Sequence, residues 1–137
     1  MSQENINIVL RCVQAFDRGD YEAALQALDP GIEYDLSHFP DGRVYRGRDG
    51  VREAFRIWVG TWEDYRQERD ELIDARDDVI VPTREHGRGK GSGLELERPT
   101  FGVWTLHDGK AIRIRFYPTM SEALEAVGLR ESNGPGS

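Results

Sequence analysis

LELERPTFGVWTLHDGKAIRIRFY, residues 94–117, decides the fold. It reads as two long strands joined by a tight turn. Polar and apolar residues alternate through Thr105 and Leu106 and again from Ala111 to Tyr117, the period of strands with one buried face. Between the two runs stands His107-Asp108-Gly109-Lys110, whose Asp-Gly pair supplies the positive φ angles that a hairpin turn requires. Strands this long, carrying Trp104, Phe116 and Tyr117, are central in a sheet; curled around a helix layer they line one aromatic pocket. Function is expected in that concavity.

Working outward, Val79 to His86 reads as a further strand with Ile80, Pro82, Arg84 and His86 on one face, followed by a glycine-rich loop from Gly87 to Gly93. The charged run from Tyr65 to Ile73 alternates well enough for a strand, with a helix as the alternative for its first half. Further upstream, Val51, Ala54, Phe55, Trp58, Val59 and Trp62 fall at helical spacing behind Asp49 as N-cap. Ile32 to Ser37 alternates as a strand, and Phe39 to Tyr45 turns at Asp41-Gly42 and returns as a short extended piece. At the front, Asn5 to Arg18 and Tyr21 to Leu28 form a helical hairpin, with Asp20 capping the second helix and Asp29-Pro30-Gly31 ending it. After the hairpin comes a short helix, Ser121 to Val127, capped by Ser121 and stopped by Gly128; ESNGPGS, residues 131–137, is expected to be a disordered tail. Helices gathered at one end and consecutive strands at the other indicate an α+β fold in a single domain, residues 1–130.

The chain has 137 residues, enough for one core, and a formal net charge of −7, which repels rather than recruits a phosphate backbone. No nucleic-acid or membrane partner is expected. Cys12 is the only cysteine, so no intramolecular disulfide forms, and its place on an apolar helix face fits a buried small side chain. There is no bilayer-spanning apolar run and no basic flank with an apolar core at MSQENINIVL, so the expected location is cytoplasmic. His38, His86 and His107 are scattered without ligand spacing, and no metal or cofactor is expected.

Several stretches in this order resemble one family. They are Phe16-Asp17-Arg18-Gly19-Asp20, Tyr45-Arg46-Gly47-Arg48-Asp49-Gly50-Val51, the run from Ser92-Gly93 through Trp104-Thr105-Leu106 to Asp108-Gly109-Lys110, and Glu122 to Leu129. Over nearly the whole chain the pattern is similar to the SnoaL-like, ketosteroid-isomerase-like branch of the nuclear transport factor 2-like superfamily. The resemblance implies a cone, a curved and mainly antiparallel sheet wrapped round three helices, with a small hydrophobic molecule inside and a homodimer formed through the sheet face.

It also implies a place for chemistry. Asp35, in Glu33-Tyr34-Asp35, matches the position of the base that ketosteroid isomerases use beside a carbonyl. A carboxylate in an apolar cone has its basicity raised toward neutral pH. If Ile32, Tyr34 and Leu36 face the cavity, however, Asp35 faces outward, and alternation alone leaves both registers open. His86 and His38 are the complementary candidates for proton transfer, because histidine titrates near neutrality. Tyr34, Trp58, Trp62, Trp104 and Tyr117 are the candidate pocket aromatics. The family's oxyanion donors are missing: Cys12 stands at the tyrosine position, and a residue near Gly102 stands at the aspartate position. Arg113 and Arg115 are expected outward, neutralised by Glu95 and Glu97 of the paired strand. These residues point to a cofactor-independent isomerase, lyase or cyclase acting on a hydrophobic carbonyl compound. The alternatives are a non-catalytic binder of such a ligand and a purely dimerising domain.

Overall fold

A computed structural model describes residues 2–129, and the expected tail lies outside them. The elements run α1 (Ser2–Asp17), α2 (Tyr21–Leu25), β1 (Leu28–Asp35), β2 (Val44–Arg46), α3 (Gly47–Thr61), β3 (Trp62–Arg69), β4 (Ile73–Ala75), β5 (Asp78–Gly89), β6 (Glu95–His107), β7 (Lys110–Tyr117) and α4 (Met120–Ala126). The sheet order is β2-β1-β7-β6-β5-β3, with β4 on β5. Every pairing is antiparallel except β1 with β7. This is the mixed α+β cone expected from the sequence.

The hairpin of β6 and β7 turns where Asp108 and Gly109 take φ of 49° and 78°. Irregularities between Thr105 and Leu106, Leu28 and Glu33, and Glu63 and Arg66 interrupt three ladders, and such bulges bend strands. The bent sheet closes over α1, α2 and α3. The main core lies on that inner face, with Val9, Leu25, Leu28, Ile32, Val51, Val79 and Ala111 at 0–1 % exposure. A smaller core lies on the outer face, where α4 covers Ile80 and Val103 with Ala123.

Local boundaries differ from the sequence reading in instructive ways. Asp29-Pro30-Gly31 does not stop a helix; it sits inside β1, where the Asp29 carboxylate accepts the Gly31 N–H at 2.8 Å and the strand is irregular. Asp49 is not the cap of α3. That place belongs to Arg46, and Asp49 in the first turn pairs instead with Arg52. Thr119 rather than Ser121 caps α4, accepting from Glu122 N–H at 3.2 Å. Arg113 faces outward as expected, but it pairs with Glu33 at 3.0 Å, because the parallel register sets Glu33 beside it.

Candidate functional site

Between the inner sheet face and the helices lies a cavity of about 340 Å³. Strand alternation decides what faces it. On β5 the inward set is Val81, Thr83 and Glu85; on β6 it is Arg98, Thr100 and Trp104; on β7 it is Ile114 and Phe116. Tyr34 and Leu36 enter from β1 and its exit, Phe55 and Trp58 from α3, and Cys12 and Phe16 from α1. Most of this lining is apolar or aromatic, with Tyr34 edge-on to both Phe55 and Phe116 at 6.1 and 5.0 Å between ring centroids.

One carboxylate interrupts it. Glu85 is only 4 % exposed, and four hydrogen bonds converge on it. Oε2 accepts from Trp58 Nε1 at 2.6 Å and from the Tyr65 hydroxyl at 2.7 Å. Oε1 accepts from Arg98 Nη2 at 2.8 Å and Nε at 3.2 Å. Such charge-assisted bonds are the strong ones, about 1.5–3 kcal/mol each. Arg98 is held from the sides as well, its guanidinium carbon lying 4.6 Å from the Phe39 ring centre and 4.5 Å from that of Trp58.

Behind Tyr65 the polar contacts continue to the surface. Arg69 can only donate: it binds Asp17 at 2.6 and 3.0 Å and the side-chain oxygen of Gln67. Gln67 must therefore turn its amide N–H toward Tyr65, which it meets at 2.8 Å. Tyr65 is left to give its own proton to Glu85. Burial, reinforced by the nearby Glu85 charge, pushes the hydroxyls of Tyr34 and Tyr65 well above the usual tyrosine range, so both remain donors. Burial likewise pushes the Cys12 thiol up to about 12, with Arg69 opposing weakly. Its Sγ–H is donated to the Ala24 carbonyl at 3.2 Å.

Three of the five aromatic candidates, Tyr34, Trp58 and Trp104, line this cavity, whereas Trp62 and Tyr117 do not. Trp62 opens β3 and lies edge-on against Trp58, its Nε1 sealed without a partner. Tyr117 faces outward, stacked on His38 at 4.4 Å between centroids and packed beneath α4.

Asp35, His38 and His86 also lie off the cavity wall. With Tyr34 and Leu36 inward, alternation turns Asp35 outward, where Oδ1 accepts the Ser37 N–H and hydroxyl at 2.8 and 2.6 Å. Its burial disfavours the charge. The Ser37 bonds, with His38 and Arg113, outweigh that and hold its carboxyl below the usual aspartate range. His38 Nε2 stands 3.8 Å from Asp35 Oδ2, and His86 pairs with Glu68 at 2.5 Å on the outer side.

The sequence reading missed Glu85, Arg98 and Tyr65. In VIVPTREH, residues 79–86, both alternating sets carry apolar residues, because α4 covers the outer face at Ile80 while the helices cover the inner face at Val79 and Val81. A charged residue in phase with Val79, Val81 and Thr83 was the available signal. Among the described residues, no group of three or more His, Cys, Asp or Glu side chains is placed to hold a metal ion, and no helix is long and apolar enough to cross a membrane.

A profile of the SnoaL-like domain matches residues 9–114. Among solved structures, a nuclear transport factor 2-like protein from Burkholderia thailandensis is 32 % identical, with a TM-score of 0.75 over 81 % of this chain and 87 % of its own. TerC, co-crystallised with polyporic acid, is 22 % identical with a TM-score of 0.72 over 91 % and 98 % of the two chains. A Catenulispora acidiphila protein of ketosteroid isomerase-like fold, in complex with trimethylamine, is 17 % identical with a TM-score of 0.71 over 93 % and 97 %. A search of the curated proteins returns no match.

Proposed function

We propose a function from one premise, that this chain belongs to the SnoaL-like domain family: it is a cofactor-independent enzyme of the isomerase, lyase or cyclase type. Its substrate is a small hydrophobic carbonyl compound held in the cavity, and its chemistry is proton transfer. The observation that carries this reading is Glu85, a buried carboxylate in the wall of a mostly apolar cavity, with a guanidinium and a phenol within hydrogen-bond distance.

In this proposal the role assigned from sequence to Asp35, with His86 or His38, passes to Glu85, because none of those three reaches the cavity. Glu85 takes a proton from the carbon beside the substrate carbonyl, and the electron pair of the broken C–H bond moves onto the carbonyl oxygen as an enolate. Arg98 stands beside Glu85 to offset that charge. Return of the proton to a different carbon gives an isomerase. Expulsion of a leaving group gives a lyase, and attack on a second carbonyl a cyclase. That TerC, a protein of the same fold, was co-crystallised with polyporic acid supports reading the cavity as a site for a small organic molecule.

One observation favours a second reading, a binder without turnover. All four acceptor directions of Glu85 are filled, so a substrate reaches a lone pair only by displacing one of these donors. Tryptophan fluorescence titrated with hydrophobic enones, polycyclic ketones and epoxides, followed by product analysis of each binder, separates the two. Binding with conversion that is lost in Glu85→Gln supports the enzyme; binding without conversion supports the carrier. The same proposal includes a homodimer through the outer sheet face, where Glu33 joins Arg46 and Arg113 in a row of exposed ion pairs. A monomer mass by light scattering would remove that part.

A further inference from the structure

We propose that the indole N–H of Trp104 is a second anchor of the cavity, donating to an oxygen at the end of the ligand remote from the Glu85–Arg98 pair. The inference rests on the cavity being a site for carbonyl compounds, and it adds which members of that class fit.

Trp104 is 6 % exposed and lines the cavity. Its Nε1 lies 3.2 Å from the point where a Cβ on Gly102 would stand, so the indole is laid across bare glycine backbone. The missing side chain at Gly102 makes that pose possible. The three indole N–H groups of the chain then have three different fates. That of Trp58 is given to Glu85, and that of Trp62 is sealed in the interior. That of Trp104 meets no acceptor among the described residues, is not sealed, and belongs to a residue that lines the cavity. An N–H in a largely apolar wall with no protein acceptor is a ready donor to a ligand oxygen. Thr100, 5 % exposed, and its cross-strand partner Thr83 add hydroxyls to the same wall, likewise without protein partners among the described residues.

The sheet sets the length of the ligand. Glu85 faces Arg98 across the β5–β6 ladder, Thr83 faces Thr100, and Val81 faces Gly102, over which the Trp104 indole lies. From the Glu85 row to the Gly102 row is four residues, about 13 Å along the strands, and the side chains shorten that span. The fitting class is a fused bicyclic or tricyclic compound bearing a carbonyl at one end and a second oxygen at the other. A molecule oxygenated at one end alone leaves Trp104 unpaired.

The probes are 6-hydroxy-1-tetralone and 1-tetralone, which differ only in the far oxygen. In ¹H–¹⁵N spectra of the labelled wild-type protein, 6-hydroxy-1-tetralone should move the Trp104 indole signal downfield, 1-tetralone should leave it in place, and Trp62 should stay fixed with both. Trp104→Phe, which keeps the ring and removes the donor, should weaken 6-hydroxy-1-tetralone about two- to tenfold and change 1-tetralone less than twofold. If both ketones bind, as Trp58 reports, while the Trp104 signal ignores the far oxygen, this inference is overturned and the reading of the cavity stands. If neither binds, the reading of the cavity falls and takes the inference with it. The wild-type spectra decide the matter even if Trp104→Phe does not fold.

Discussion

Replacing Glu85 by glutamine tests how the polar cluster is held. Every group around that carboxylate donates: Trp58 and Tyr65 to one oxygen, Arg98 twice to the other. An amide has one oxygen. Turned toward Trp58 and Tyr65 it keeps two bonds, but its N–H groups then face the Arg98 guanidinium, which loses both of its own. Removing one partner of a buried ion pair costs about 3–5 kcal/mol. The Arg98 side chain is 29 % exposed and remains between two aromatic rings, so water and stacking return part of this, leaving about 2–3 kcal/mol. For a chain of this size, that lowers Tm by roughly 8–12 °C. Urea unfolding followed by tryptophan fluorescence gives the free energy directly. Arg98→Met in the Glu85→Gln background should recover about 1 kcal/mol or more, because the unpaired charge is gone. A Glu85→Gln protein within about 0.5 kcal/mol of wild type, or a double variant less stable than Glu85→Gln, would refute the reasoning.

Three further outcomes follow from the packing and the shifted groups. Gly102→Ala places a methyl 3.2 Å from both the Phe116 ring and Trp104 Nε1, so it should destabilise by about 1–3 kcal/mol in urea and displace the Trp104 indole signal. Asp35 is held below its ordinary value of 3.8 in the folded chain, so its contribution to stability is present above that value and is lost as pH falls through and below it; the urea midpoint of Asp35→Asn should therefore change less than that of wild type between pH 7 and pH 3. With the Cys12 thiol pushed up to about 12, the thiolate at pH 8 is about one part in ten thousand, and Ellman's reagent should label it only at the rate of unfolding; prompt labelling of the folded protein contradicts the burial.

Much of the fold was legible because its strongest signals are local. The Asp108-Gly109 turn, the helical spacing from Ile8 to Phe16, the Asp20 cap and the alternation after Lys110 each depend on neighbours in the chain, and each stands where the sequence placed it. The candidate site was harder, because facing is a tertiary property. Asp35 drew attention as a carboxylate in a strand, yet Tyr34 and Leu36 took the inner face and one step of alternation sent it outward. The same single step exchanged His86 for Glu85 on β5. Arg98 and Tyr65 are silent in sequence, since nothing local marks a charged residue on β6 or a tyrosine on a polar edge strand as partners of a carboxylate thirteen and twenty positions away, respectively. Gly102 carried a readable hint, but its meaning lies in the indole that folds over it.

Glu85 is the group proposed to move a proton on a bound ketone. The most direct measurement is deuterium incorporation at the carbon beside the carbonyl of 1-tetralone in D₂O, followed by NMR with wild-type protein, Glu85→Gln and Asp35→Asn. Exchange above the buffer rate is expected with wild type and Asp35→Asn, and none above it with folded Glu85→Gln that still binds the ketone. Undiminished exchange by Glu85→Gln, or its loss in Asp35→Asn alone, would contradict it.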